Sequence, residues 1–126
     1  MPVNAVSPVL PDGQVQAHLA RHLPHWQLAD GAIRRVLRTG GWKGTLMAVN
    51  AIAHLAELAW HHPELQVGYA RVAIALNTHD AGGITAKDLA LAEKIESVLL
   101  WRPAAEPGAV LDGTPDTDTD RYMVYD

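Results

Sequence analysis

The chain has 126 residues, a hydrophobic fraction of 48%, a charged fraction of 19% and a formal net charge of −4. That make-up suits one globular domain with a real core and argues against the clustered basic face that nucleic-acid binding needs. Cysteine and phenylalanine are both absent, which removes thiol nucleophiles, disulfides and thiolate metal sites and leaves Trp, Tyr and aliphatic side chains to fill the interior.

The start, Met1-Pro2-Val3-Asn4-Ala5-Val6-Ser7-Pro8, has neither a basic beginning nor a sustained apolar stretch, so it does not read as a signal peptide. No apolar run approaches the ~20 residues of a membrane helix, and the cytoplasm is the expected compartment. Residues 1–13 read as an N-terminal arm, 14–101 as the folded domain and 102–126 as a flexible acidic tail whose last residues, Arg121 to Asp126, carry apolar side chains able to dock. In the domain, Val15, Leu19 and Leu23 recur at helical spacing, with Asp12 as the expected cap and Pro24 as the stop. Trp26-Gln27-Leu28 and Ile33 to Leu37 flank Asp30-Gly31, the signature of a β-hairpin. In the second strand Arg34 and Arg38 share one face and Arg35 the other, and the three arginines read as a solvated strand edge.

After the break Thr39-Gly40-Gly41, a proline-free helix is expected from Trp42 or Lys43 to Trp60, burying Leu46, Val49, Ala53, Ala56 and Ala59 or Trp60. Pro63 stops it. Leu65 to Leu76 alternates as a strand in which Gly68 marks a bulge or a close backbone approach. The loop Thr78-His79-Asp80-Ala81-Gly82-Gly83 leads to a second helix that runs to about Leu100. Thr85 and Asp88 form its capping box, and Leu89, Ala92, Ile95 and Leu99 its buried stripe. The order of elements implies an α+β fold: an antiparallel sheet with its helices on one face. The open strand edge invites a second copy of the chain, giving a homo-oligomer.

The chemistry concentrates in His61, His62 and His79. Imidazole, with an ordinary pKa of about 6.5, gives and takes protons near neutrality. Glu57 precedes His61 by one helical turn and is placed to orient it. His62 falls at the helix end, and His79 sits on a Gly-flanked loop of the kind that displays functional groups. Three readings remain open at this point. The histidines can cap a helix end and a turn. Glu57, His61 and His79 can form a zinc site, although no HExxH-type spacing is present. Or the group performs metal-free general acid–base chemistry, which the pattern favours. His18, His22, His25 and His54 are scattered and read as surface residues.

The run Glu57, His61-His62-Pro63, Tyr69, His79 and Asp88, at these spacings, resembles the signature of the pterin-4a-carbinolamine dehydratases. The flanking Trp42, Thr45 to Ala53, and Thr78-His79-Asp80 with Gly82-Gly83-Ile84-Thr85 are also similar to bacterial members. The resemblance spans residues 14–100. It implies the dehydration of a 4a-hydroxytetrahydropterin, such as 4a-hydroxytetrahydrobiopterin, to a quinonoid dihydropterin, a step that recycles the pterin of aromatic amino-acid hydroxylases. It implies no metal and no organic cofactor. His61 and His79 would be the proton-transfer residues, with His62 catalytic chiefly by binding and orienting the pterin. Glu57, Trp60, Asn77, Thr78 and Asp88 would line or support the pterin site, Asp88 either by contact or by holding the His79 loop. A homodimer or homotetramer would follow, with no membrane and no direct nucleic-acid partner.

Trp60 departs from members with an acid beside the first histidine. The segment after Gly41 lacks the phenylalanines common elsewhere, and the tail has no counterpart in the pattern. Relatives with this fold include non-enzymatic ones, a coactivator of a homeodomain transcription factor and RuBisCO assembly factors. The assembly factors typically lose the His-His-Pro element, which this chain keeps.

Overall fold

The computed structural model describes residues 7–126. Residues 1–6, which hold most of the start read above as no signal peptide and part of the N-terminal arm, lie outside the described residues. From Leu10 the arm is anchored, its backbone N–H donating to the Ile84 carbonyl at 2.8 Å.

Helix α1 spans Asp12–His22 and buries Val15 and Leu19. Its N-cap is Pro11 rather than the expected Asp12. Asp12 lies one position inside, where its carboxylate faces the positive end of the helix dipole. Strands β1 (Gln27–Ala29) and β2 (Ala32–Thr39) form the expected hairpin. Asp30 and Gly31 both take positive φ, 52° and 75°, as a two-residue hairpin turn of the matching twist requires. The Arg34 guanidinium donates to the carbonyls of Ala29 and Asp30 and clasps that turn.

Strand β2 is not an edge. It lies between β1 and β4 (Arg71–Leu76) in the order β1-β2-β4-β3, where β3 is Glu64–Gly68, and all neighbours are antiparallel. Ile33, Arg35, Leu37 and Thr39 are buried on its helix-facing side. Arg35 is therefore an interior charge, not part of a solvated edge, because β2 alternates in strict register and its odd positions face the core.

The single strand expected over Leu65–Leu76 is two strands. They turn at Tyr69-Ala70, with Gly68 opposite Arg71 and Val67 opposite Val72. Neither turn residue has positive φ, so no Asn-Gly or Asp-Gly signature marks the turn. The missing Cβ of Gly68 leaves room for the Arg71 side chain, whose Cγ would lie 2.8 Å from it.

Helix α2 (Trp42–Ala59) buries Thr45, Ala48, Ile52 and Ala56. Ala56 is buried as expected and Val49 packs against the core, but elsewhere the buried face lies one position earlier: Leu46 is 41% exposed, and Ala53 and Ala59 face outward. The helix is apolar nearly all round, so periodicity alone does not select a face. Small residues let it approach the sheet, and Thr45 satisfies its hydroxyl there by donating to the Tyr69 carbonyl at 2.9 Å. Helix α3 (Ala86–Leu99) buries the expected Leu89, Ala92, Ile95 and Leu99, with Leu91 and Asp88 besides. Helix α2 packs on β2, β3 and β4 and on α3, while α1 packs on β1, giving one helical layer over one sheet. Among the described residues no helix is long and apolar enough to cross a membrane.

The end of the tail docks. Strand β5 (Met123–Val124) pairs antiparallel with β2, Met123 opposite Thr39, and Met123 enters the core at 5% exposure. Asp126 then receives two hydrogen bonds from the Arg35 guanidinium, the one from Nη2 at 2.8 Å. Burial alone would lower the Arg35 pKa, but Asp126 and Glu96 more than offset it and the net shift is upward. The Arg35 hydrogen bonds hold the Asp126 carboxyl below its ordinary value, helped by charge from Arg35 and from His25 at 3.6 Å. A carboxyl whose pKa is lower folded than unfolded stabilises the fold above its unfolded pKa, about 3.9, and that contribution fades as pH falls through the lower folded value. Protection of the Met123 and Val124 amides, relative to intrinsic exchange at each pH, is therefore expected to hold from pH 7 to about 4 and to fall below it. Asp126→Asn removes the acid-dependent part.

Candidate active site

The C-terminus of α2 shapes the site. Trp60 takes the left-handed conformation (φ 50°, ψ 47°), and its N–H bonds the carbonyls of Ala56 and Glu57. The His61 N–H follows onto Ala56 at 3.1 Å. This closure is usually made by glycine, because a Cβ crowds the carbonyl there. It ends the helical register one residue before the histidine pair and sends the two rings opposite ways.

His61 turns inward. Its Nε2 lies 2.6 Å from Asp88 Oδ1, with the His61 side chain 13% exposed and Asp88 fully buried. His62 turns outward, its Nε2 2.6 Å from Glu57 Oε1 in an exposed pair. The expected Glu57–His61 partnership is thus corrected: Glu57 holds His62, and His61 is held from α3. The one-turn spacing argument fails because the left-handed residue between them breaks the helix on which it depends.

Asp88 is the junction of the site. Its Oδ2 accepts from the Thr78 hydroxyl at 2.8 Å and from the Thr85 backbone N–H at 2.9 Å. The Thr85 hydroxyl lies 2.7 Å from that of Thr78 and accepts from the Lys87 N–H at 3.2 Å. The directions then follow in sequence: Lys87 N–H to Thr85, Thr85 O–H to Thr78, Thr78 O–H to Asp88. With its other partners on Oδ2, Asp88 has Oδ1 left for His61 Nε2 at 2.6 Å. Nδ1 is then the His61 nitrogen that Asp88 does not engage.

Thr78 lies two residues past β4 and opens the His79 loop, bridged to Gly83. Its carbonyl accepts from the N–H groups of Ala81 and Gly82, and its own N–H donates to Gly83. His79 begins the 3₁₀ turn His79–Ala81 and is exposed, as is Asn77. One buried carboxylate therefore ties the helix end carrying His61 to the loop carrying His79. Thr78 was expected at the pterin, and Asp88 either there or as the support of the His79 loop. Asp88 is 0% exposed and the Thr78 hydroxyl is committed to Asp88 and Thr85, so their side chains position the histidines from within. Thr85 belongs to the same network, although its sequence signal announced only a helix cap. Trp60 is 77% exposed and sets its ring edge-on to His62, centroids 5.1 Å apart. The zinc arrangement of Glu57, His61 and His79 loses two members to other partners. Among the described residues no three His, Asp or Glu side chains gather closely enough to hold a metal ion.

Fold and site together define an α+β domain that presents histidines where its central helix ends against a strand-end loop. The model of the pterin 4 alpha carbinolamine dehydratase family matches residues 8–98, and the chain belongs to that family. It is 44% identical over 78 residues to an Aquifex aeolicus protein provisionally named pterin-4-alpha-carbinolamine dehydratase, covering 62% of this chain and 79% of that one. A Chloroflexus aurantiacus protein of the same provisional name is 40% identical over 92 residues, covering 73% and 98%. The crystal structure of a transcriptional coactivator/pterin dehydratase from Brucella melitensis superposes with a TM-score of 0.67 at 28% identity, covering 72% of this chain and 98% of that one.

The two acid–histidine pairs should differ sharply in what they contribute. Asp88→Ala leaves buried donors unmatched and is expected to cost about 3–5 kcal/mol. Glu57→Gln touches only an exposed pair and should cost under about 1 kcal/mol. Urea denaturation of both variants measures the difference, and equal losses would contradict the buried junction.

Proposed function

We propose that this chain dehydrates a 4a-hydroxytetrahydropterin, with 4a-hydroxytetrahydrobiopterin as the substrate type, by metal-free histidine acid–base catalysis. The family supports the pterin. The observation that carries the mechanism is the His61–Asp88 hydrogen bond, which fixes one ring nitrogen and leaves the other to work.

In the reaction the 4a C–O bond breaks as the hydroxyl takes a proton and leaves as water. The C=N bond forms as the adjacent ring nitrogen gives its proton to a base. One proton is given and one taken, so two groups suffice and no redox partner is needed. His61 and His79 fill these two roles. Asp88 and Thr78 are positioning residues that hold His61 and the His79 loop. Glu57 orients His62, which binds the pterin, and Trp60 supplies an aromatic wall beside it. Asn77, exposed at the end of β4, offers an amide to the pterin ring.

A proton-transfer residue contributes about 10²–10⁴-fold. His61→Ala and His79→Ala are therefore each expected to lower kcat by about that factor while the fold stays intact. His62→Ala should act mainly on KM. Full activity in both His61→Ala and His79→Ala sinks this reading.

The Brucella neighbour is called a transcriptional coactivator as well as a pterin dehydratase, which gives a second reading, a non-catalytic binding module. Against it stands the retained His61-His62-Pro63 element with its buried support. Turnover of a 4a-hydroxytetrahydropterin by the purified chain separates the two. A homodimer or homotetramer in the cytoplasm completes the proposal. It is supported by the edge strand β3 and by the apolar side chains of Leu46, Met47 and Leu58 exposed on α2.

A further inference from the structure

The buried charge that the proposed reaction does not use is Arg35. It sits 4% exposed on the helix side of β2, with β4 between it and the strand β3 that follows the histidine pair. Its Nε donates to Glu96 Oε1 at 2.8 Å, an oxygen that also accepts from Trp26 Nε1 at 2.8 Å. That leaves the outer fork of the guanidinium facing the edge of β2 beyond β1. The fork is filled by Asp126, two nitrogens on two oxygens.

Three further features of that edge fit an incoming strand. The backbone of Arg38 and Thr39 pairs with Val124 and Met123, and the Gly40 N–H donates to the Tyr122 carbonyl at 2.8 Å. Gly40 has no side chain where one would be fatal: a Cβ there would sit 2.0 Å from the Arg121 carbonyl oxygen. Gly44, on the first turn of α2, likewise leaves 3.1 Å to the Tyr122 ring. An apolar socket accepts Met123. Edge hydrogen bonds, a bare floor, a socket and an arginine fork make up a β-augmentation site, in which main chain gives affinity and pockets give selectivity.

The occupant is anchored at Met123, at Asp126 and at Tyr125, whose hydroxyl donates to the Trp101 carbonyl at 3.1 Å, but its strand pairing is short. Its regular pairing is only Met123–Val124, Asp126 is 45% exposed at its side chain, and Val110 and Leu111 in the preceding linker are 91% and 58% exposed. The family match ends at residue 98, so the tail is an addition to the matched domain. A short tether supplies an effective concentration in the millimolar range, enough to keep a weak strand docked. We propose that the outer edge of β2 is a receiving groove for an extended acidic peptide, with a carboxylate three residues after a buried apolar side chain, and that residues 121–126 fill it as a displaceable resident.

The test keeps the whole chain. A protease site replaces exposed linker residues 107–112, the purified protein is cut there, and a fluorescent peptide of residues 119–126 is added. Retention of the native circular dichroism, co-elution of the cut tail with the domain, and its exchange for the labelled peptide are expected. The Asp126→Asn peptide should bind at least about tenfold more weakly, the order of a lost charge-assisted hydrogen bond. Loss of the fold on cutting, a tail that never exchanges, one that leaves without rebinding, or equal binding of a scrambled peptide each overturns the proposal. Because the mutation is on the peptide, the folding of the domain is not in question.

Discussion

The buried carboxylate of Asp88 is the constraint on which the candidate site depends. A carboxylate taken fully out of water is costly unless each oxygen finds donors. Asp88 finds them on three segments: the residues just after α2, the loop after β4 and the N-cap of α3. The requirement runs both ways, since without it the buried Thr78 hydroxyl and the Thr85 N–H would lose their acceptor. The same hydrogen bonds that satisfy a charge therefore fix where two histidines stand, and the stability of the site and its geometry are one quantity.

The architecture was largely legible in the sequence. The Asp30-Gly31 hairpin, the proline-limited α2 and the Thr85–Asp88 capping box rest on local backbone preferences, and each stands in the structure. What escaped local reasoning was decided by packing or by unusual backbone. The turn at Tyr69-Ala70 lacks turn residues. The buried face of α2 is chosen by small side chains on a helix apolar nearly all round. Arg35 reads as surface until a carboxylate on another element is seen beside it. At the site, the residue types were evident but not their pairing, because Trp60 carries no mark of a left-handed residue and because the partner of His61 lies on α3.

The two ends of α2 illustrate a division of labour. Its N-terminal end, around Gly40 and Gly44, is bare so that another segment can lie against it. Its C-terminal end is crowded with Trp60, His61 and His62. Thr45, buried near the first end, binds backbone carbonyl and Thr39 hydroxyl alike, so polar groups inside this protein are used to join elements rather than to break them.

Trp60 also bears on how such a domain can be made sturdier. A side chain in the left-handed region carries roughly 1–2 kcal/mol of conformational penalty that glycine avoids. Selection for robustness alone would put glycine at this corner, and the residue there is the bulkiest available. The corner is thus a place where a more durable protein and one that sets an aromatic ring against His62 call for different residues, and this chain has the ring.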